Sequence, residues 1–258
     1  MRASISLCSL LLTITAFAVD HNNIDLNRPL SFEDAESIAR YELSYESGIH
    51  TEFPRHGKTG VSIPIEISYG AFLNSHFSIG FDPGWGNIDE FRDSRFNFNR
   101  TEVSYFHNLN RELLNFPAVA FKLGAGFPSG KNQKEMEYLV KAIFSKRFFE
   151  FERVHLNSIS IYRAGSSFRE RKWLHSAILG LTHPLGYPKK FVSTALANIG
   201  IRESEIKGQK PMGKWGIGIR RQISIRSVID LGFKGDIPFE SRNSYMALGF
   251  NLGLSTAF

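Results

Sequence analysis

The chain has 258 residues, a formal net charge of +6 and a single cysteine, Cys8. Its basic residues are scattered, which argues against the dense basic patch that nucleic-acid binding requires. After residue 18 no segment approaches about 18 uninterrupted apolar residues, which excludes a membrane protein built from helices. The 23 phenylalanines and 22 glycines suit a membrane β-barrel, with a Phe-rich soluble β-sandwich as the alternative.

Residues 1–18 have the character of a signal peptide. Arg2 supplies a positive charge, and Ala16-Phe17-Ala18 fits a small-x-small cleavage site. The apolar run between them, residues 5–17, is shorter than the about 20 residues of a spanning helix. We therefore expect the mature chain to begin near Val19 and to contain no disulfide, thiolate metal site or cysteine nucleophile.

Residues 19–40 form an N-terminal segment in which the pattern predicts one short helix. Ser31 is a good helix cap, and Glu33 and Asp34 would lie in the first turn, so we expect a helix over residues 31 to about 40. A helix of this length is not stable alone and must pack against something. A place at the periplasmic mouth of a barrel and a place partly inside it are both consistent with the sequence.

Residues 41–258 alternate between apolar and polar residues in a way that predicts strands joined by turns. Pro64 weakens one of these strands, because proline removes a ladder hydrogen bond. The even number of strands fits a single-chain barrel with both chain ends on one side, with the longer connections outside the cell. The twelve predicted strands cover residues 41–50, 61–69, 76–82, 100–107, 117–127, 138–148, 154–163, 172–182, 191–201, 214–223, 225–234 and 245–258.

The last predicted strand, residues 245–258, has the clearest alternation in the chain. One face is almost entirely apolar, and the other consists of small or polar residues such as Gly249, Asn251 and Gly253. This pattern suits a strand with lipid on one side and a packed or wet interior on the other. A strand that alternates up to a final Phe resembles the assembly signal of bacterial outer-membrane barrels. The residues expected to form that signal, and to contact the barrel-assembly machinery, are Phe250, Leu252, Leu254 and Phe258.

These patterns together predict an all-β, antiparallel up-and-down barrel of about 12 strands in the outer membrane of a Gram-negative bacterium. Its expected partners are outer-membrane lipid and lipopolysaccharide. Trp85, Trp173 and Trp215 fall near strand ends or outer loops, where they would anchor the barrel at the membrane interface.

The inward faces of the clearer strands carry charged residues. We expect the acids of the early strands to face or neighbour the bases of the late strands, because closure places the last strand beside the first. Such a lumen either filters solutes by charge or is sealed by a network of salt bridges and hydrogen bonds. The lumen-lining candidates are Glu42, Glu46, Glu66, Asp82, Glu102, Lys122, Arg220, Arg226, Asp230 and Lys234.

Residues 116–130 carry a resemblance to a known family. Phe116-Pro117-Ala118-Val119-Ala120 continues to Gly124 and then into Gly126-Phe127-Pro128-Ser129-Gly130. This stretch resembles the strand and Pro-Ser-Gly loop of the transporter-like outer-membrane barrels named for the MetA pathway of phenol degradation. The resemblance implies a small outer-membrane barrel that passes small apolar or aromatic compounds.

The sequence gives little support to catalysis. It contains neither a G-x-S-x-G nor an H-E-x-x-H motif, and the glycine-rich stretch ending at Lys131 lacks the first glycine and the final Ser or Thr of a phosphate loop. His50, His76, His107 and His175 are isolated residues that would need a Ser or Asp partner from another strand. We therefore predict a passive channel for small solutes, with no cofactor, metal or catalytic residue. The alternatives are a structural or surface-interaction barrel with a sealed lumen and an outer-membrane enzyme.

Overall fold

The computed structural model describes residues 30–54, 59–85, 96–129, 135–149, 151–166, 168–186, 193–239 and 247–258. The predicted signal peptide and residues 19–29 lie outside this part of the chain. Within it, no helix is long and apolar enough to cross a membrane. The strands are β1 (Leu43–Pro54), β2 (Gly60–Ser62), β3 (Ile65–Phe72), β4 (Ser75–Trp85), β5 (Asn97–Asn110), β6 (Ala118–Pro128), β7 (Met136–Phe148), β8 (Glu152–Ala164), β9 (Trp173–Leu185), β10 (Ser193–Arg202), β11 (Met212–Ser224), β12 (Ser227–Pro238) and β13 (Ala247–Ala257).

The strands form one closed antiparallel sheet. Apart from β2 and β3, which both lie between β1 and β4, each strand pairs with its neighbours in the chain, and β1 also pairs with β13, from Ser44 opposite Ala257 to Pro54 opposite Ala247. At the seam, the amide of Phe258 donates to the carbonyl of Leu43 over 2.8 Å. Closure gives every strand two partners, which removes the exposed edges of an open sheet. The predicted closed antiparallel barrel is confirmed.

β2 and β3 are two pieces of one barrel strand. Both pair with β1 on one side and with β4 on the other. Pro64 lies in the break between them and has no amide hydrogen to donate. Its carbonyl accepts from the amide of Gly48 over 3.2 Å, and the amide of Ile63 donates to Pro83 over 2.8 Å. The thirteen segments therefore build twelve barrel strands, the predicted number.

The last strand shows how side chains divide between the two faces of the wall. Gly249, Asn251 and Gly253 of β13 are buried on the lumen side, whereas Leu248 and Leu252 are 54% and 37% exposed on the outside. On β13 the wall thus has an apolar outer face and a lumen face of small and polar groups. The outward set of β13 includes Phe250, Leu252 and Leu254, and exposed Phe258 follows directly after the strand; these are the residues predicted as an assembly signal.

The two ends of the barrel differ in their connections. The short-turn end carries the chain ends of β1 and β13 and the connections 73–74, 111–117, 149–151, 186–192 and 225–226. The long-loop end carries the connections 55–59, 86–96, 129–135, 165–172, 203–211 and 239–246. Residues 225–226 form a turn, so the prediction that a strand begins at Ile225 was wrong by two residues. Apolar Ile225 resembles a strand residue, but antiparallel strands need residues to reverse direction.

Residues 30–40, which we call the inner segment, run inside the barrel in extended or bent conformation, and no helix is present there. The chain leaves the lumen at Tyr41, whose φ of 67° reverses its direction before β1. The amide of Tyr41 donates to the carbonyl of Gly70 over 2.6 Å. A Cβ on Gly70 would collide with the carbonyl oxygen of Ala39, so glycine is required where the segment passes the wall. The predicted helix over residues 31–40 was therefore wrong.

Candidate functional site

Glu33 anchors the inner segment to two lysines of the wall. Lys122 of β6 lies 3.0 Å from Oε1, and Lys141 of β7 lies 3.1 Å from Oε2. Lys141 is fully buried, and the side chains of Glu33 and Lys122 are 4% and 6% exposed. Glu66 of β3 lies 3.9 Å from the same Lys122 ammonium group. Two wall cations therefore converge on one carboxylate of the segment.

Arg153 of β8 makes a second charged attachment. Its Nη1 donates to Asp34 over 2.7 Å, and its Nη2 donates to Glu36 over 2.9 Å. Asp34 is fully buried and also lies 3.8 Å from Nδ1 of His155. A buried charge is tolerated only when it is paired. Three acidic side chains of the segment thus neutralise bases from three neighbouring strands.

Wall side chains also satisfy the backbone of the inner segment. The amide of Glu33 donates to Asn157 over 2.7 Å, and the side chain of Asn157 donates back to the carbonyl of Glu33 over 2.9 Å. The amide of Ala35 donates to Ser145 over 3.0 Å, while Asn108 donates to the carbonyl of Ala35 over 2.5 Å. These bonds replace those that a helix would have supplied. They explain in physical terms why the predicted helix does not form.

Apolar side chains hold the deeper end of the inner segment. Phe32 and Leu30 pack with Ile159, Ile178 and Leu196 in a cluster of buried side chains. The Phe32 ring fits against Gly180, where an added Cβ would lie 2.5 Å from Cδ2. On the other side its centroid is 5.2 Å from that of His155. The lumen wall beside the lysines is thus apolar and fits an aromatic ring.

The sequence-predicted lumen candidates differ in how deeply the structure buries them. Glu42, Glu46, Lys122, Arg220 and Asp230 are buried, and Glu66, Asp82, Glu102 and Lys234 are partly buried. Arg220 donates to both oxygens of Asp230 on the adjacent strand, over 2.7 and 3.1 Å. Arg226 lies in the turn between β11 and β12. Arg220 therefore pairs with a late acid and Lys122 with Glu66, while early Asp82 and late Lys234 line the same cavity of the lumen.

The long-loop end contains a separate charged network. Arg163 donates from Nε to Glu137 over 2.7 Å and from Nη2 to Glu205 over 3.1 Å. Arg202 and Arg100 also form ion pairs with these two carboxylates. Burial raises the pKa of the Glu205 carboxyl, but the hydrogen bond from Arg163 and the charge of Arg202 outweigh burial and hold this pKa below its ordinary value. The Glu205 carboxylate therefore stays ionised at neutral pH.

The inner segment separates two cavities of the lumen. A cavity of about 840 Å³ at the short-turn end is lined by Glu36, Ala39 and Arg40 of the segment. A cavity of about 360 Å³ towards the long-loop end is lined by Leu30 and Ser31, together with charged groups of the wall such as Arg100. Residues 32–35 are buried between the two. The lumen therefore has polar space on both sides of a docked constriction.

The docking residues of the inner segment and of β7 and β8 were missed by the sequence reasoning. Glu33 and Asp34 were interpreted as the first turn of a helix, and Lys141, Arg153 and Asn157 were not proposed as lumen residues. Both strands were predicted, but weak alternation hid which of their residues face the lumen, because lumen-facing Ile143 and Ile159 are as apolar as the outer face. The only signal in the sequence was the density of acids over residues 33–36, which matches the bases on those strands.

Two observations bear on catalysis. The hydroxyl of Ser160 and Nδ1 of His175 are 2.9 Å apart on the outer face of β8 and β9, and Trp173 stacks on the same His175 ring. The backbone amides of these strands already donate hydrogen bonds to neighbouring strands, so none is left to form an oxyanion hole beside this pair. In the part of the chain that the structure describes, no group of three or more His, Cys, Asp or Glu residues fits a metal ion.

Aromatic side chains gather on the outer surface near the two ends. Trp85 and Trp173 are 41% and 53% exposed near the long-loop end. Tyr162 packs on Trp173 with ring centroids 5.0 Å apart, and Phe77 packs on Tyr105 at the same separation near the short-turn end. Between these groups the outer face is dominated by exposed aliphatic side chains. This distribution is that of a barrel with an apolar band flanked by aromatic girdles.

Comparisons with known proteins agree with this architecture. No protein-family model matches the sequence, and no curated protein matches it. Among solved structures, the COG4313 outer membrane channel from Pseudomonas putida F1 matches with a TM-score of 0.68 and 11% identity, over 87% of this chain and 98% of that one. The KdgM porin in complex with disordered oligogalacturonate matches with a TM-score of 0.55 and 12% identity, over 83% and 99%. The NanC porin gives 0.55 and 10%, over 83% and 98%. At such identities the likeness concerns the fold, and the chain shares the closed β-barrel of these three proteins.

Proposed function

We propose that this protein is a passive channel for small solutes in the bacterial outer membrane. The observation that carries the proposal is a closed barrel with an apolar outside and polar, charged lumen space on both sides of one docked segment. Closed barrels span membranes because every backbone polar group is satisfied within the sheet. The apolar band and the aromatic side chains near both ends support the membrane location, with lipid and lipopolysaccharide against the outer surface.

The inner segment governs conduction in this proposal. A solute that crosses the lumen must pass residues 32–35, which are held by Lys122, Lys141 and Arg153. The docked chain is therefore the closed state, and withdrawal of the segment opens the path. The alternative is a structural or surface-interaction barrel in which the segment never leaves and the lumen stays sealed.

The finer part of the proposal concerns family and solute. The stretch that resembles the MetA-pathway barrels, residues 116–130, includes β6 and its approach to the long-loop end. The apolar cluster around Phe32 supports a lumen that accommodates aromatic groups. We therefore place apolar or aromatic compounds among the expected solutes. Assembly through the outward face of β13 by the barrel-assembly machinery belongs to the same proposal.

Planar-bilayer recording and liposome swelling test the channel. Purified full-length protein should give discrete current steps, and the steps should become more frequent when the segment is loosened by Asp34→Asn. Asp34 is bound through Arg153 and not through strand pairing, so the substitution should leave the pairing of the barrel strands intact. A folded protein that conducts in neither form would overturn the channel and favour the sealed barrel.

A further inference from the structure

We propose that the lumen wall beneath Phe32 and Glu33 is a binding site for aryl-alkanoate anions, in which an alkyl chain joins an aromatic ring to a carboxylate. In this structure the chain's own side chains occupy the site. The inference rests on the proposed channel and names the class of solute that would use it.

The carboxylate half of the site is the pair of lysines on β6 and β7. The ammonium groups of Lys122 and Lys141 approach opposite oxygens of the Glu33 carboxylate, at 3.0 and 3.1 Å. Two cations on one carboxylate form a strong, charge-assisted arrangement. Lys141 is fully buried, and burying a cation is costly unless an anion accompanies it. The wall at this place is therefore built to hold a carboxylate.

The aromatic half is the recess that holds Phe32 against β8 and β9. Phe32 is fully buried. Gly180 provides the space, since a Cβ there would lie 2.5 Å from the ring, and Ile159 and Ile178 supply apolar contacts. The His155 ring lies at a centroid distance of 5.2 Å, within the range of aromatic pairs. An aromatic group from another molecule would find the same surfaces.

The relation between the two halves sets the length of the ligand. Phe32 and Glu33 are adjacent in the chain and contact different parts of the wall, the first β8 and β9 and the second β6 and β7. Adjacent Cα atoms lie about 3.8 Å apart, and two side chains that diverge from them separate ring and carboxylate by roughly 8 Å. A ring joined to a carboxylate by about five methylene groups spans such a distance, whereas phenylacetate does not. We therefore expect 6-phenylhexanoate to fit and phenylacetate to bind weakly.

The first experiment measures block of ionic current in a bilayer. The double substitution Phe32→Ala and Glu33→Ala vacates both halves, and 6-phenylhexanoate should block its current at a concentration at least ten-fold lower than neutral 6-phenylhexanamide. The amide has the same ring and chain, so it controls for partitioning into lipid. Adding Lys141→Met should abolish the preference for the acid. Equal block by acid and amide in the double variant would overturn the site.

A second experiment does not depend on conduction. Ala35 is fully buried, and Ala35→Cys places a thiol on the docked segment of a mature chain expected to have no other cysteine. If 6-phenylhexanoate displaces the segment, labelling of this thiol by a water-soluble maleimide should accelerate at least ten-fold, while 6-phenylhexanamide leaves the rate unchanged. Acid-dependent labelling without any current in any variant would keep the site and overturn the channel. Current in the double variant with block that does not distinguish acid from amide would keep the channel and overturn the site.

Discussion

Glu33→Gln is the most informative single substitution, because it removes one charge from the centre of the docked segment. It leaves Lys122 and Lys141 buried without the carboxylate that now lies 3.0 and 3.1 Å from them. Breaking a buried ion pair from one side costs about 3 to 5 kcal/mol. Glu66 remains 3.9 Å from Lys122, so we expect a cost at the lower end of this range. At about 1.4 kcal/mol for each factor of ten, the ratio of docked to undocked segment should fall roughly a hundredfold.

Single-channel recording measures this ratio as the fraction of time the channel is open. Glu33→Gln should raise that fraction while leaving the denaturant midpoint of the barrel almost unchanged, since Glu33 belongs to no strand. A second substitution, Lys141→Met, should restore part of the closed fraction, because removing both partners of a buried pair costs less than removing one.

Asp230→Asn is the matched control. Asp230 is as buried as the docking residues and accepts two hydrogen bonds from Arg220, but both partners belong to the wall. It should lower barrel stability and leave the open fraction unchanged. An open fraction in Glu33→Gln equal to that of the unmodified protein, or an equal increase in Asp230→Asn, would refute the assignment of the segment as the closing element.

Three further predictions concern the barrel and the entry of the segment. Leu231 is exposed on the outer face of β12, so Leu231→Arg should destabilise the barrel in vesicles by about 2 to 4 kcal/mol and lower its refolding yield. The control Leu231→Met should refold normally. Equal refolding yields for the two variants would contradict the outward register. Gly70→Ala should raise the open fraction because its Cβ would collide with the carbonyl of Ala39, while Gly80→Ala, whose Cβ would keep ordinary contacts at 3.8 and 3.9 Å, should not. A closed barrel should migrate faster on a denaturing gel before boiling than after it; identical migration would contradict closure.

Strands such as β13 were predictable because their two faces differ in chemistry. In β13 the lumen face consists of small or polar residues such as Gly253 and Asn251, while Leu248 and Leu252 face outward. A period of two is then visible in the sequence itself. Pro64 was likewise recognised as a weak point, and the strand does break there.

The site was not predictable because its chemistry depends on contacts between distant parts of the chain. Residues 31–36 carry a capping serine and early acids, which favour a helix locally. Arg153, Asn157 and Ser145 bind the same residues from more than 100 positions away. Sequence spacing does not reveal such partners, so the sequence shows only the local preference for a helix.

Charge balance connects the closed state to the solute. When the inner segment is docked, Lys122, Lys141 and Arg153 form ion pairs with its carboxylates, which neutralise these three charges of the wall. When it withdraws, these cations lose the carboxylates of the segment, and water, an anion or nearby wall acids such as Glu66 must compensate their charge. An anion that binds the vacated wall stabilises the open state in proportion to its preference for that state over the closed one. In the proposed channel, an anionic solute is therefore both the cargo and a ligand that favours undocking of the segment, whereas a neutral solute crosses only after spontaneous undocking.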